Sequence, residues 1–557
     1  MFWLLLAPQL LCAVDLPAGA APEALDAAHF PDRLHAFVWR NWPLVPVERM
    51  ARVVGARPED ILELGRSMGL DGPPPITDEQ RRRSYITVIR RNWHILPYEQ
   101  LLDLLDWTPE EMAYCLREDD FLFVKLGNLK PKCERLTFSA PDDATKRRAA
   151  AIAQVVKDYF PNGVALTQAP LFQFVKDLSA LPEPGVQPAR ESQFSPRYCY
   201  SYFALYGDPL LDTDLDPYPD GYLARLAASG VNGVWLQAVL YKLAPFPWDA
   251  SLSEGYPKRL ENLGALVARA KKHGIGIYLY LNEPRSMPLS FYEAHPDLKG
   301  VAEGDWAAMC TSAPEVRDFV RSAVAGVCRV VPDLAGFFTI SGSENLTNCW
   351  SHHHGDRCPR CGRRPPAEVI AEINTAFFEG IQEAGAQTRL ICWDWGWSDD
   401  WVEDIVKRLP EEVMLQSVSE WSIPIKRGGV ESVIGEYSIS EVGPGPRATR
   451  HWGFAREHGL GTVAKVQANN TWELSAVPYV PVIENTARHA AGLREAGVDG
   501  LMLSWTLGGH PSPNLEVYAE MGAPSRPSVE EALATVAQRR FGAVSYTHLT
   551  LPTKRIV

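Results

Sequence analysis

From residue 195 onward the chain repeats one pattern eight times: a short apolar, β-branched or aromatic run, then a segment long enough for a helix. The runs are YCYSYFALY from Tyr198, GVNGVWLQAVL from Gly230, GIGIYLYLN from Gly274, LAGFFTIS from Leu334, RLICWDWGW from Arg389, VMLQSVSEW from Val413, GTVAKVQANN from Gly461 and GLMLSWTLGG from Gly500. Short strands alternating with helices signal βα units around a parallel sheet. Several helical segments end in Gly just before the next run, as in KHG, EHG and REAG, which suits a left-handed helix cap feeding a strand. Eight units close a (β/α)8 TIM barrel. An open doubly wound sheet is the alternative, but the chain has no Gly-rich phosphate loop after the first run. The sequence therefore predicts an α/β chain, with a barrel over 195–543 preceded by a small all-α domain.

That front region carries an internal duplication over 34–137. Arg40-Asn41-Trp42 recurs as Arg91-Asn92-Trp93, and the same offset relates Pro46 to Pro97, Glu48 to Glu99, Pro58 to Pro109 and Glu59 to Glu110. Each copy reads as a helical hairpin whose helices open with Pro and Glu. The second helices, EDILELGRSMGL and EEMAYCLREDDFL, are acidic or neutral, whereas a helix that reads DNA is basic. A packing or substrate-docking role is expected. Residues 138–194 read as a helical linker ending in the Pro-rich stretch LPEPGVQPARESQFSP.

The chain ends stand apart. Residues 1–25, with the apolar run MFWLLLAPQLLCAV and small residues after it, fit a signal peptide, which would send the protein to the periplasm or outside. No Lys or Arg precedes the run, and Pro8 and Gln9 interrupt it, so a cytoplasmic location stays open. No segment reaches the length of a membrane span. Residues 544–557, VSYTHLTLPTKRIV, resemble an in-frame translated sequencing adapter and are set apart as non-native. A net charge of −13 without a dense Lys/Arg run excludes a nucleic-acid surface. The 17 Trp residues exceed what a core needs, and indole faces stack well on sugar rings.

In a TIM barrel, catalytic groups project from the C-terminal strand ends. There the sequence places Asn282-Glu283-Pro284-Arg285 (third run), Ser341 to Asn345 with Glu344 (fourth), Trp393-Asp394-Trp395 (fifth), Ser419-Glu420-Trp421 (sixth), Asn469 to Glu473 with Trp472 (seventh) and Ser504-Trp505 (eighth). Five of these ends carry a carboxylate, usually beside a Trp. Glycosidic hydrolysis needs one acid to protonate the leaving oxygen and a second carboxylate, or a substrate group, to stabilise the cationic carbon. Crowded carboxylates supply that division because repulsion and burial separate their pKa values. Glu344, Glu473, Glu420 and Asp394 are the catalytic candidates. Glu283, Arg285, Asn345, Trp393, Trp395, Trp421, Trp472 and Trp505 are the substrate-binding ones.

The segments GFFTISGSEN and NEPR, with CTSAPEV between them, resemble those of family 20 type β-N-acetylhexosaminidases and their relatives. The resemblance implies a glycoside hydrolase acting on a glycan, N-acetylhexosamine-containing in that family, with Glu344 as acid. That family has an Asp-Glu pair at strand 4; here Ser343 replaces the Asp, so only the acid role carries over. A second resemblance, to retaining barrels with acid/base on strand 4 and nucleophile on strand 7, assigns those roles to Glu344 and Glu473. An inactive carbohydrate-binding barrel and a metal-dependent hydrolase stay open as alternatives.

After Glu344 come Cys349, His352-His353-His354 and Cys358-Pro-Arg-Cys361-Gly. A CPxCG turn is a zinc knuckle. The expected ligands are Cys349, His354, Cys358 and Cys361 around a structural zinc, with a Cys358–Cys361 disulfide as competitor; no cofactor is expected for catalysis. The other seven Cys residues, scattered and mostly in apolar runs, read as buried and inert.

Overall fold

The computed structural model describes residues 16–119, 122–161, 173–182, 191–203, 207–212, 214–342, 345–471, 474 and 477–542. The chain divides into two compact units, Met1–Phe174 and Val175–Val557. Among the described residues no helix is long and apolar enough to cross a membrane.

In the first unit each copy of the duplication is three helices, the expected hairpin preceded by one helix that ends in the Arg-Asn repeat. Arg33–Asn41, Val47–Val54 and Pro58–Ser67 form one, and Tyr85–Asn92, Tyr98–Leu105 and Pro109–Glu118 the other. Pro46 and Pro97 sit at N-cap positions, and Pro58 and Pro109 open the third helices. The repeated Arg-Asn-Trp lies where the copies meet. Asn41 and Asn92 exchange side-chain amide hydrogen bonds of 2.8 Å in both directions. Arg40 and Arg91 donate to each other's carbonyls. The two copies thus face each other around a local two-fold axis, as a duplicated sequence allows. The chain before the first helix is woven in: Lys130 N–H donates to the Ala18 and Ala20 carbonyls, and Lys132 N–H to Pro22.

The second unit is built on a closed parallel barrel. Its strands are β1 (Arg197–Tyr200), β2 (Gly233–Ala238), β3 (Gly276–Leu281), β4 (Gly336–Ile340), β5 (Arg389–Trp393), β6 (Met414–Val418), β7 (Gly461–Val466) and β8 (Gly500–Leu503). β1 pairs with both β2 and β8, which closes the cylinder and removes the open-sheet alternative. Glycines at 230, 274, 385, 459 and 497 hold positive φ just before strands, as capping requires.

Side chains alternate between two cores. Cys199, Val234, Leu279, Phe337, Cys392, Leu415, Ala464 and Leu501 face the helices, whereas Tyr198, Trp235, Tyr278, Phe338, Ile391, Val463 and Met502 fill the barrel. The filling is unusually aromatic. A Cβ on Gly336 would lie 2.5 Å from the Tyr278 ring, and one on Gly233 would lie 2.9 Å from it, so both glycines make room for Tyr278. Higher up, Tyr280 stacks on Phe338 at 4.9 Å, and Trp505 packs against Trp235, Tyr280 and Trp393 at 5.1 to 5.4 Å.

Three elements escaped the sequence pattern. A three-stranded antiparallel sheet (Met287–Pro288, Lys299–Glu303, Trp306–Met309) fills the connection after β3, and a hairpin (Pro424–Arg427, Val430–Val433) the one after β6. The helix Pro513–Met521 follows β8.

Candidate active site

The C-terminal strand ends bring several of the candidates to one rim. Glu283 follows β3 by two residues, Asp394 follows β5 directly, Glu420 follows β6 by two and Trp505 follows β8 by two. Glu344, Glu473 and Trp472, together with Ser343, lie outside the described residues.

Glu420 is fully buried. Its Oε1 accepts the Gln467 backbone N–H at 2.8 Å and lies 3.9 Å from His489 Nδ1. Its Oε2 is buried without a hydrogen-bond partner among the described residues. Burial pushes the Glu420 carboxyl up to about 7, against a smaller opposing pull from the Lys465 ammonium. Lys465 itself is buried in β7, donates to Gln467 Oε1 at 3.1 Å and sits 3.1 Å from the Tyr437 ring centroid. His489 is held between Ser419 Oγ at 2.7 Å and the Tyr518 hydroxyl at 3.2 Å. Burial depresses it to about 3, so it is neutral at pH 7 and adds no positive charge beside Glu420.

Glu283 is also buried and pushed up to about 7 by burial. Both its oxygens are engaged, however: Oε1 accepts from Leu240 N at 2.8 Å and Oε2 from Arg285 N at 3.0 Å. It clasps the connections after β2 and β3. Arg285 reaches Asn345 Oδ1 at 3.4 Å, and Asn345 donates to Asn282 Oδ1 at 3.3 Å, so two of the expected binding residues, with Asn282, form a link between the ends of β3 and β4.

Asp394 has no exposed surface. It accepts from Ser417 Oγ at 2.6 Å, His451 Nδ1 at 2.6 Å and Arg447 Nη1 at 3.3 Å. Burial alone would raise its pKa, but Arg447 and His451 outweigh burial and hold it below the usual carboxylate range. With its oxygens accepting from three protein side chains, it ties the end of β5 to β6 and to the helix Pro446–Glu457. Arg447 in turn lies 4.4 Å over the Trp421 ring.

The indoles differ in access. Trp395, Trp421 and Trp505 are half-buried, and Trp395 Nε1 donates to Glu436. Trp393 is buried against Trp505, and the Nε1 atoms of Trp393 and Trp235 are buried without hydrogen-bond partners among the described residues. At the base of the β4 connection two backbones touch. A Cβ on Gly396 would fall 1.9 Å from the Gly342 carbonyl oxygen, so only glycine fits there.

The cysteine cluster differs from the expected ligand set. Cys310, Cys349, Cys358 and Cys361 are buried with their sulfurs within 4.8 Å of one another, a group that could hold one metal ion. His354 is exposed and outside this group. Cys310, expected to be inert, is the fourth member, because the small sheet after β3 folds against the connection after β4. Cys358 and Cys361 are not joined by a disulfide in this structure. Four protein ligands leave no open position on the ion, which disfavours a metal-dependent hydrolase built on this loop. Sequence reading also missed Lys465, Gln467, Arg447, His451 and His489. None carries a local signal, since each acquires its place only when the barrel closes.

No family model and no curated protein matches the sequence. Solved structures similar to it are glycoside hydrolases of the TIM-barrel kind, family 20 hexosaminidases among them. A GH138 enzyme targeting pectin rhamnogalacturonan II is 11% identical at a TM-score of 0.42, covering 73% of this chain and 46% of its own. The chitobiase of Flavobacterium johnsoniae is 14% identical at 0.35, over 63% and 52%. A β-N-acetylhexosaminidase from Bacteroides fragilis is 12% identical at 0.40, over 65% and 72%. The chain thus spans about half the length of the first two.

Proposed function

We propose that the barrel mouth hydrolyses glycosidic bonds in a glycan with Glu420 and Glu344 as its two carboxyl groups. The observation that carries this reading is Oε2 of Glu420, buried at a C-terminal strand end without a hydrogen-bond partner among the described residues. A buried polar atom without a partner calls for an explanation, and a ligand rich in hydroxyl groups provides one. The orphan Nε1 donors of Trp235 and Trp393 add to the same need. Aromatic faces with few fixed polar groups are what a pyranose ring requires.

Strand position alone assigns the proton donor to Glu344. The surroundings of Glu420 favour the other division: a carboxyl raised to about 7 holds its proton near neutrality, as the acid that protonates the leaving oxygen must. Glu344 is then the carboxylate that stays ionised and stabilises the cationic carbon, with Glu473 as the remaining candidate for that role. N-Acetylhexosamine-containing glycans are the proposed substrate class.

The test is a panel of nitrophenyl glycosides, N-acetylhexosaminides included, followed by Glu420→Gln and Glu344→Gln on the best substrate. Loss of turnover with sugar binding retained supports the assignment. A wild-type chain that binds glycans but cleaves none of the panel would instead be the carbohydrate-binding barrel.

A further inference from the structure

The four clustered cysteines come from three separate stretches of chain. Cys310 follows the strand Trp306–Met309 in the connection after β3, Cys349 lies in the connection after β4, and Cys358 and Cys361 form the knuckle before the helix Pro366–Glu383. Cys310 Sγ lies 3.7 Å from Cys358 Sγ and 3.6 Å from Cys361 Sγ. A tetrahedron of sulfurs around zinc at about 2.3 Å has edges of about 3.8 Å, whereas a disulfide would bring two sulfurs to about 2.05 Å. The spacing matches the tetrahedron.

The groups around the sulfurs are donors. Cys361 N–H points at Cys358 Sγ at 3.5 Å, and Arg360 Nε donates to Cys310 Sγ at 3.2 Å. Ser312 Oγ lies 3.2 Å from Cys361 Sγ while accepting from Arg364 Nη1 at 2.7 Å. Neutral thiols packed with Val301 and Val369 would need no such guanidinium contacts. A zinc ion with four thiolates carries two net negative charges, which Arg360 directly and Arg364 through Ser312 are placed to offset.

We propose that Cys310, Cys349, Cys358 and Cys361 bind one structural zinc ion that staples the connection after β3 to the connection after β4. These connections carry Glu283 and Arg285 on one side and Asn345 on the other, so the ion fixes the rim without taking part in chemistry. The proposal is independent of the glycosidase reading.

The experiment is metal analysis of the full chain purified without added metal or chelator. One zinc per chain is expected in the wild type and in His354→Ala, with loss in Cys310→Ser and Cys358→Ser. Because those serine variants could fail to fold, wild-type protein is also titrated with an organomercurial in the presence of a zinc indicator. One zinc should be released as four thiols react, and cobalt exchanged into the site should give a tetrahedral thiolate spectrum. Iron in place of zinc, metal retained in both serine variants, or four thiols that titrate freely in metal-free folded protein would overturn the proposal.

Discussion

Asn41 and Asn92, equivalent residues of the two repeats, each donate a side-chain amide hydrogen to the other's carbonyl across the local two-fold axis, at 2.8 Å and fully buried. Each also donates back to its own helix, to Phe37 and Val88. Asn41→Ala leaves Asn92 with its Val88 bond, but its buried amide oxygen and one of its N–H groups lose their partner, a loss of about 1 to 3 kcal/mol. Chemical denaturation should show it, and Asn41→Ala with Asn92→Ala should cost clearly less than the two single changes added. Strict additivity would mean that the pair does not couple the repeats.

Activity should fall as pH rises through about 7, because the Glu420 carboxyl, raised to about 7, must be protonated to act as the acid. Glu420→Gln should lower kcat about 10² to 10⁴-fold at pH 6 and remove that alkaline limb. A rate profile flat across pH 7 in the wild type would rule Glu420 out as donor.

Stability should follow the same direction. Glu283 and Glu420 both have folded pKa values of about 7, above their ordinary 4.5. The stabilisation that protonation gives is therefore complete below about pH 4.5 and is lost as pH rises to about 7. Replacing Glu283 by Gln should flatten part of that slope in melting curves taken between pH 5 and pH 8.

Arg447 is buried between Asp394, Asp399 and Trp421. Arg447→Met strips the main counter-charge from a carboxylate with no exposed surface and should cost about 3 to 5 kcal/mol. Thermal unfolding checks this, and a change below about 1 kcal/mol would show that His451 and Ser417 suffice for Asp394.

Gly396→Ala should distort the rim, since the new methyl meets the Gly342 carbonyl 1.9 Å away and neither backbone is a flexible side chain that can swing aside. A stability loss of about 1 to 3 kcal/mol, with turnover reduced further than stability explains, is expected. An unchanged kcat would show that the β4 connection does not depend on this contact.

The barrel was legible because its strands are short, bounded by capping glycines and separated by amphipathic helices such as Pro314–Val330. Pro513–Met521 was not legible for a converse reason. All nine of its residues are buried, so no polar face marks a helical period. The hairpin around Gly428 and Gly429 had its turn signal but strands of only four residues, too few for alternation to register. At the site, strand ends pointed to Glu283, Asp394 and Glu420, which the structure does place just after β3, β5 and β6, but not to the surroundings of each. Glu283 and Glu420 look alike in sequence, but Glu283 has both oxygens engaged beside Arg285, whereas Glu420 lies near Lys465 and His489 with an Oε2 that has no partner among the described residues. The cysteine set went half-read because Cys310 lies far from the CPxCG turn along the chain, while the nearby His354 faces solvent.

Trp235, Trp393 and Trp505 meet within 5.1 to 5.2 Å at the top of the barrel. Indoles this close exchange excitation energy and couple their ultraviolet transitions, so the protein carries its own optical gauge of that cluster. A molecule settling on Trp505 would alter emission and near-ultraviolet dichroism without any label, turning a screen for ligands into a measurement on the native chain.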